Sequence, residues 1–195
     1  MKMSDINLSG IVYVLSYGVA LWCIIAGAYL FILSGTAPFR FQLIAAAIIV
    51  TGGVIICILH GLIRRAEVKF QRLTSGFKCA DFSPNANYEL SRNDIGGYFG
   101  IDTTHGTILM VSLHDKIFKG KILADYAGYY CEGTTLTIMF NDVNFPTFEL
   151  RMRSGSKCRE FAHRLDVLKS ASYRPEKQPG NDFGMHVQRI APPVA

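Results

Sequence analysis

The sequence predicts a helical membrane hairpin followed by a small α+β soluble domain. This domain is expected to be an antiparallel sheet, or a partly open barrel, of about six strands capped by one C-terminal amphipathic helix. Three observations support this fold class: two long apolar stretches without charge at the start, short alternating segments in the middle, and an apolar stripe at helical spacing near the end of the domain.

Two stretches, Leu8 to Phe39 and Phe41 to Ile63, contain no Asp, Glu, Lys or Arg. Each supplies about 23 mostly apolar residues, where crossing a bilayer core takes roughly 20 residues at helical rise. Because a charged group at mid-membrane is costly, two such windows in one short chain favour an integral membrane protein. We predict an N-terminal segment 1–8 and a transmembrane hairpin 9–63, with spans at about 11–33 and 41–63.

Basic residues around the spans predict the orientation of the hairpin. The turn between the spans carries one cation, Arg40, whereas Arg64, Arg65, Lys69 and Arg72 follow the second span. Lys and Arg near span ends tend to remain in the cytoplasm. We therefore expect a protein of the bacterial inner (plasma) membrane with both termini on the cytoplasmic side. This basic cluster also supplies most of the formal net charge of +5, so the charge indicates a membrane flank and no nucleic acid partner.

Two further features concern processing and compartment. A cleaved signal peptide stays open as an alternative for the first apolar stretch, because Lys2 precedes it and Ala26-Gly27-Ala28 resembles a cleavage site. The cysteines number five and form no CxxC pair. We therefore expect reduced thiols in a cytosolic compartment and no disulfide framework.

Small residues recur at four-residue spacing in the second span, at Gly53, Cys57 and Gly61. Such a face lets another helix approach closely. Packing against the first span, only a short turn away, is the favoured interpretation, and homodimerisation is the alternative.

After the hairpin we predict a basic juxtamembrane helix and linker (64–92), a soluble domain (93–172) and a disordered tail (173–195). The soluble domain has as many Lys and Arg as Asp and Glu residues, so it is formally neutral. Its clearest strands alternate apolar and polar residues with period two. The segments read as strands are Gly97–Asp102, Thr107–Leu113, Lys119–Tyr126, Gly128–Glu132, Leu136–Phe140 and Phe148–Met152.

A helix should follow from Ser154-Gly-Ser156 to about Ala171 and cover the open face of the sheet. Its apolar stripe consists of Cys158, Phe161, Leu165 and Leu168. In the tail, the candidate docking residues are Phe183, Met185, Val187 and Ile190.

Motifs for catalysis or metal binding do not occur. The histidines never fall at HExxH or another compact ligand spacing, and no serine occupies a GxSxG elbow. A glycine-rich run, Gly96-Gly97-Tyr-Phe-Gly100, lacks the GxGxxG order of a phosphate cradle. We therefore predict no metal, no cofactor and no enzymatic activity.

The best candidate binding surface is the stretch Lys116 to Lys121, where Lys116, Lys119 and Lys121 flank Ile117 and Phe118. Read as an exposed loop near a bilayer, it could engage anionic headgroups while Phe118 enters the interface. The alternative is a solvated hairpin connection.

The region Gly97 to Ala171 resembles the pleckstrin-homology-like domains of bacterial membrane proteins. The features that carry this resemblance are the hairpin entry Phe99-Gly-Ile-Asp102, the strands Leu136 to Phe140 and Phe148 to Met152, and the helix with Phe161, Leu165 and Leu168. The sequence shows six strands where the full fold has seven. The resemblance implies a binding scaffold for proteins or lipids, without an active site.

Three functions follow in order of preference. The first is a non-enzymatic membrane protein whose cytoplasmic domain binds another protein, such as a secretion or conjugation machine or further copies of itself; an entry-exclusion factor would have this organisation. The second is a sensor of anionic lipid surfaces. The third is a small membrane-bound enzyme without a recognisable motif.

Overall fold

A computed structural model describes residues 8–33, 39–169, 173–177 and 183–192. The chain divides into two compact units, Met1–Ala66 and Glu67–Ala195. We call the first the hairpin unit and the second the sheet unit. Each is described by itself below.

The hairpin unit contains α1 (Leu8–Leu33) and most of α2 (Phe39–Gly76). By length and composition, both helices can cross a membrane, α1 over Val14–Leu33. Small residues let the two helices touch: a Cβ added at Gly27 would lie 2.7 Å from the Ile49 side chain, and one at Gly52 would lie 2.8 Å from the Ala20 carbonyl oxygen. The predicted helical hairpin is therefore present.

The described residues of the sheet unit form seven strands in two antiparallel sheets, one more than the six segments read as strands in the sequence. One sheet has the order β1-β2-β3-β4 and the other the order β5-β6-β7. Both are open sheets. The strands are β1 (Glu89–Arg92), β2 (Gly97–Asp102), β3 (Thr107–Ser112), β4 (Ile117–Ile122), β5 (Tyr126–Glu132), β6 (Thr135–Phe140) and β7 (Thr147–Arg151).

The extra strand, β1, lies in the stretch predicted to be a linker, where its four residues pair with β2 from Glu89 opposite Gly100 to Arg92 opposite Gly97. The register of β6 with β7 places Leu136 opposite Leu150 and Ile138 opposite Phe148. That register is the antiparallel pair predicted from the alternation, with one face of β7 buried and the other exposed.

The main core lies between the two sheets and helix α3 (Gly155–Lys169). The apolar stripe of α3 is buried as predicted, with Phe161 and Leu165 at most 2% exposed. Phe99 of β2 links the layers, since its ring lies 6.4 Å from the Phe148 ring of β7 and 6.0 Å from the Phe161 ring of α3. Cys158 of α3 is joined to Cys131 of β5 by a disulfide, where the sequence predicts reduced thiols.

A second core covers the opposite face of the four-stranded sheet. Strands β2 and β3 are therefore buried along their whole length. This outer layer was not predicted, because its members are far apart in the sequence. It comprises Phe70 near the end of α2, Phe77 directly after that helix, Phe82, the sheet residues Tyr98, Leu109 and Val111, and Phe183 and Val187.

Phe183 and Val187 belong to a fourth helix, α4 (Phe183–Ile190), inside the stretch predicted to be a disordered tail. The Phe183 ring stacks 5.1 Å from the Phe82 ring. Of the candidate docking residues, Phe183 and Val187 are buried and Ile190 is partly buried, whereas Met185 is 58% exposed. The helix forms here because packing supplies the stability that eight residues lack in water.

Candidate interaction surfaces

Among the described residues, the small-residue face of α2 makes no close contact with α1 at its two glycines. The helix contact uses Gly52, whereas a Cβ at Gly53 or Gly61 would meet nothing within 4 Å. Successive residues on a helix turn by about 100°, which directs the stripe of Gly53, Cys57 and Gly61 away from α1. The favoured interpretation, packing of this stripe against the first span, is not seen among the described residues. The stripe instead lines an open groove of about 570 Å³ together with Val50, Val54, Ile58, Leu62 and Arg65.

The membrane-flank cluster lies on the continuation of α2 beyond the apolar segment. Arg64, Arg65, Lys69 and Arg72 are all exposed. Phe70, which lies between Lys69 and Arg72 in the sequence, is buried in the sheet unit. The helix therefore continues through the basic segment to Gly76, as predicted, and its end contributes to the outer layer.

The stretch from Ile117 to Lys121 is strand β4 and not an exposed loop. Phe118 is partly buried in the outer layer, 6.3 Å from the Phe77 ring, so it does not present its ring to a bilayer. Lys121 is hydrogen-bonded to Asp142, and this bond is the main reason that the pKa of the Asp142 carboxyl is lowered. Only Lys116 and Lys119 of the predicted basic patch are exposed.

Lys116 lies in the turn between β3 and β4, with a left-handed backbone at φ 54°. This turn contacts the turn between β1 and β2, because the Leu113 amide donates to the Gly96 carbonyl at 2.9 Å. Two apolar side chains project from the paired turns, Ile95 at 44% and Leu113 at 43% exposure. We call this end of the sheet the turn end, defined by Ile95, Leu113 and Lys116. It combines exposed apolar area with a cation.

At the opposite end of β2, Asp102 organises a buried polar cluster. Its carboxylate accepts hydrogen bonds from the Ser83 amide at 2.9 Å, the Thr104 amide at 2.7 Å, the His105 amide at 3.2 Å and His105 Nδ1 at 2.8 Å. Burial alone would raise the pKa of Asp102, but these hydrogen bonds outweigh it and lower the pKa. The Ser83 contact ties a distant segment to the end of β2, and the other three fix the turn that follows β2, so the arrangement stabilises the fold.

One cavity in the sheet unit could hold a small ligand. It has a volume of about 370 Å³ and borders Leu123, Tyr126, Leu168, Tyr173 and Pro175. The Tyr126 hydroxyl is buried without a hydrogen-bond partner among the described residues, and burial raises its pKa. Within the described part of the chain, no group of three or more His, Cys, Asp or Glu residues could hold a metal ion.

Sequence reasoning missed the turn end and the packing of α4 against β4. Ile95 and Leu113 are separated along the chain, and only the antiparallel register brings their turns together. The available signal was the pair of hairpin turns flanking β2 and β3, each with an apolar residue beside it. No local signal marks Gly120 of β4 as the position against which the side chains of α4 pack.

Fold and surfaces together define a small α+β domain that follows a pair of apolar helices. A family model described as exclusion-determining protein matches residues 2–142, which include both apolar helices and the first six strands. The chain belongs to the exclusion-determining protein family. Searches of curated proteins and of solved structures gave no match.

Proposed function

We propose that this chain is a non-enzymatic entry-exclusion factor of the bacterial inner membrane. In this role it acts in a recipient cell and blocks transfer by binding a protein of the incoming conjugation machine. The family match over residues 2–142 is the observation that carries the proposal. The architecture supports it, because two apolar helices provide an anchor and the sheet unit provides a binding domain.

The strand arrangement supports a pleckstrin-homology-like scaffold for this domain. Seven strands in a four-plus-three arrangement, followed by α3, agree with the strand number of the full fold. A scaffold of this kind places loops at the ends of the sheet, where binding residues concentrate. We assign the turn end as the surface that contacts the partner, because it carries two exposed apolar side chains on adjacent turns.

Protein binding is favoured over lipid binding by the placement of β4. The side chain expected to enter the bilayer, Phe118, packs on Phe77, and Lys121 is paired with Asp142. The patch has two exposed lysines, which form a weak electrostatic surface for anionic lipid. An apolar turn end suits a protein surface with an apolar patch.

The proposed function is tested by a mating assay. Recipient cells expressing the full chain should accept a conjugative element that encodes this exclusion protein at a lower frequency than recipients with an empty vector. The double variant Ile95→Asp/Leu113→Asp should restore transfer, because two charges at the turn end oppose burial against a partner.

Val143→Asp is the matched control, since Val143 is 96% exposed on the loop between β6 and β7. This variant should exclude as well as the native chain at equal membrane abundance. Unaltered transfer into cells with the native chain would contradict the proposed function. Full exclusion by the turn-end double variant would contradict only the assignment of the surface.

The cytoplasmic placement of the sheet unit can be tested through its disulfide. Arg64, Arg65, Lys69 and Arg72 predict this side of the membrane, and the cytosol keeps thiols reduced. This placement therefore requires the Cys131–Cys158 disulfide of the structure to be reduced in the cell. After acid quenching and denaturation, a maleimide polymer should shift both cysteines on a gel, and full protection of the pair would contradict the cytoplasmic placement.

Self-association through α2 is the proposal that follows from its open groove. Cys57 is exposed at the centre of the stripe between Gly53 and Gly61. If a second copy packs here, mild oxidation of membranes should join two chains through Cys57, and Gly53→Leu should reduce the yield by preventing close approach. Gly18→Leu is the control, because a Cβ at Gly18 of α1 also meets nothing within 4 Å. Equal cross-linking in both variants would contradict this assembly.

A further inference from the structure

The outer layer of the sheet unit contains a groove that is shaped by α4. A Cβ added at Gly120 of β4 would lie 2.9 Å from the Val187 side chain and 3.0 Å from the Phe183 ring. The two buried side chains of α4 are thus seated on the one position of β4 that has no side chain. Phe82 forms a further wall, through its stack with Phe183. Apolar side chains at i and i+4 on a helix, held in an apolar groove, are a recurring mode of peptide recognition.

The helix that fills this groove is short and only weakly held. Helices of fewer than about 12 residues are marginal in water, so α4 with its eight residues is helical because it is docked. Two side chains of α4 are buried, whereas α3 buries Cys158, Phe161, Ala162, Leu165 and Leu168. Because fewer buried contacts hold it, the local opening of α4 requires less free energy than the opening of α3 in the main core.

The chain before α4 is anchored at a separate point. The Tyr173 hydroxyl donates to the Thr103 carbonyl, and the Lys177 amide donates to the Thr104 carbonyl at 3.0 Å. When α4 leaves its groove, these contacts can remain in place. The sequence places five residues between Lys177 and Phe183, and a chain of that length spans at most about 20 Å.

We propose that the groove also accepts α4 of a second copy of this chain, so that two copies exchange their C-terminal helices. The occupant is a second copy because its α4 has the same sequence. That helix can therefore make the contacts with Gly120 and Phe82 that the structure shows for α4 of the same chain. Exchange creates no new buried surface and breaks none, which makes it a low-cost route to a dimer. Confinement of both copies to one membrane, which rests on the proposed localisation, raises their effective concentration.

Two full-length variants make the exchange measurable. In the helix-deficient variant, Phe183→Ala/Val187→Ala removes both anchors of α4 and leaves the groove open. In the groove-blocked variant, Gly120→Val fills the floor and leaves α4 intact. Neither variant can seat its own helix. Only a mixture of the two variants can form a native contact between groove and helix. In that contact the groove of the helix-deficient variant binds α4 of the groove-blocked variant.

Differently tagged copies are coexpressed, extracted in mild detergent and purified through one tag. We expect the mixture to retain about tenfold more partner chain than either variant paired with itself. The self-pairs measure association through the membrane helices. The control mixture pairs the helix-deficient variant with a chain that carries all three substitutions, and it should fall to the self-pair level. A mixture that retains no more than its self-pairs overturns the proposal.

A second measurement covers the case in which Gly120→Val does not fold. A fluorescent synthetic peptide of residues 181–192 is titrated onto the helix-deficient variant and onto the native chain. The peptide should bind the helix-deficient variant about tenfold more tightly, because its groove is vacant. Equal affinity for both chains, or no binding to the helix-deficient variant, overturns the proposal whatever the mating assay shows.

Discussion

Replacing Phe99 with alanine should lower the free energy of unfolding of the sheet unit by about 3 to 5 kcal/mol, enough to remove most of the stability of a small domain. Phe99 is fully buried and contacts Phe148 of β7 and Phe161 of α3. The substitution therefore leaves a cavity where β2, β7 and α3 meet. The more the surrounding side chains collapse into this cavity, the smaller the loss of unfolding free energy within the stated range.

The measurement is urea denaturation of the full chain in detergent, followed by a brief protease pulse that digests unfolded sheet units. Trp22 is the only tryptophan and lies in α1, so intrinsic tryptophan fluorescence would not report on the sheet unit. Tyr130→Ala is the control, because this aromatic side chain is 49% exposed and its loss should change the midpoint little. Equal midpoints for Phe99→Ala and Tyr130→Ala would show that the main core is not centred on Phe99.

Replacing Asp102 with asparagine should cost about 3 kcal/mol at neutral pH, because a buried carboxylate with several donors becomes an amide with one oxygen. The amide nitrogen must then face either the Thr104 and His105 amides or the Ser83 amide and the His105 ring, all of which donate in the native chain. Asp166→Asn is the control, since that exposed carboxylate accepts a hydrogen bond from the Tyr129 hydroxyl at 2.7 Å at the surface.

The stabilisation that the Asp102 carboxylate gives to the fold should decrease as the pH falls. Its pKa is lower in the folded than in the unfolded chain, so its stabilisation is complete above the unfolded value of about 4. This stabilisation is lost as the pH falls through the folded pKa. The difference in unfolding free energy between the native chain and Asp102→Asn should therefore shrink in acid. A difference that stays constant from neutral pH into acid would contradict this role.

Local patterns were sufficient for the hairpin and the main core. Charge-free stretches of sufficient length predict α1 and the apolar part of α2, since a bilayer imposes a length that composition reveals. Period-two alternation predicts the antiparallel pair of β6 and β7, and helical spacing predicts the buried face of α3. In each case the pattern of apolar residues lies within one segment. In β6, β7 and α3 the burial of one face produces that pattern.

The outer layer was not predictable in this way, because its residues come from segments with no shared pattern. Phe70 lies on a helix that is basic around it, Phe82 in a turn-rich stretch, and Phe183 in a tail rich in proline and glycine. Polar surroundings made each of them resemble a solvated segment. For the same reason β4 was read as a lysine-rich loop, although Gly120 and Phe118 face this layer.

The two-sided burial of the four-stranded sheet also constrains the order in which the protein can mature. The outer face of β3 and β4 is closed by the end of α2 on one side of the sequence and by α4 on the other. Because α4 follows all the described strands and both apolar helices in the sequence, it is synthesised after them. The nascent domain therefore exposes Leu109 and Val111 until α4 has been translated, and a ribosome stalled after β7 would leave an apolar sheet face open to chaperones or to a neighbouring chain.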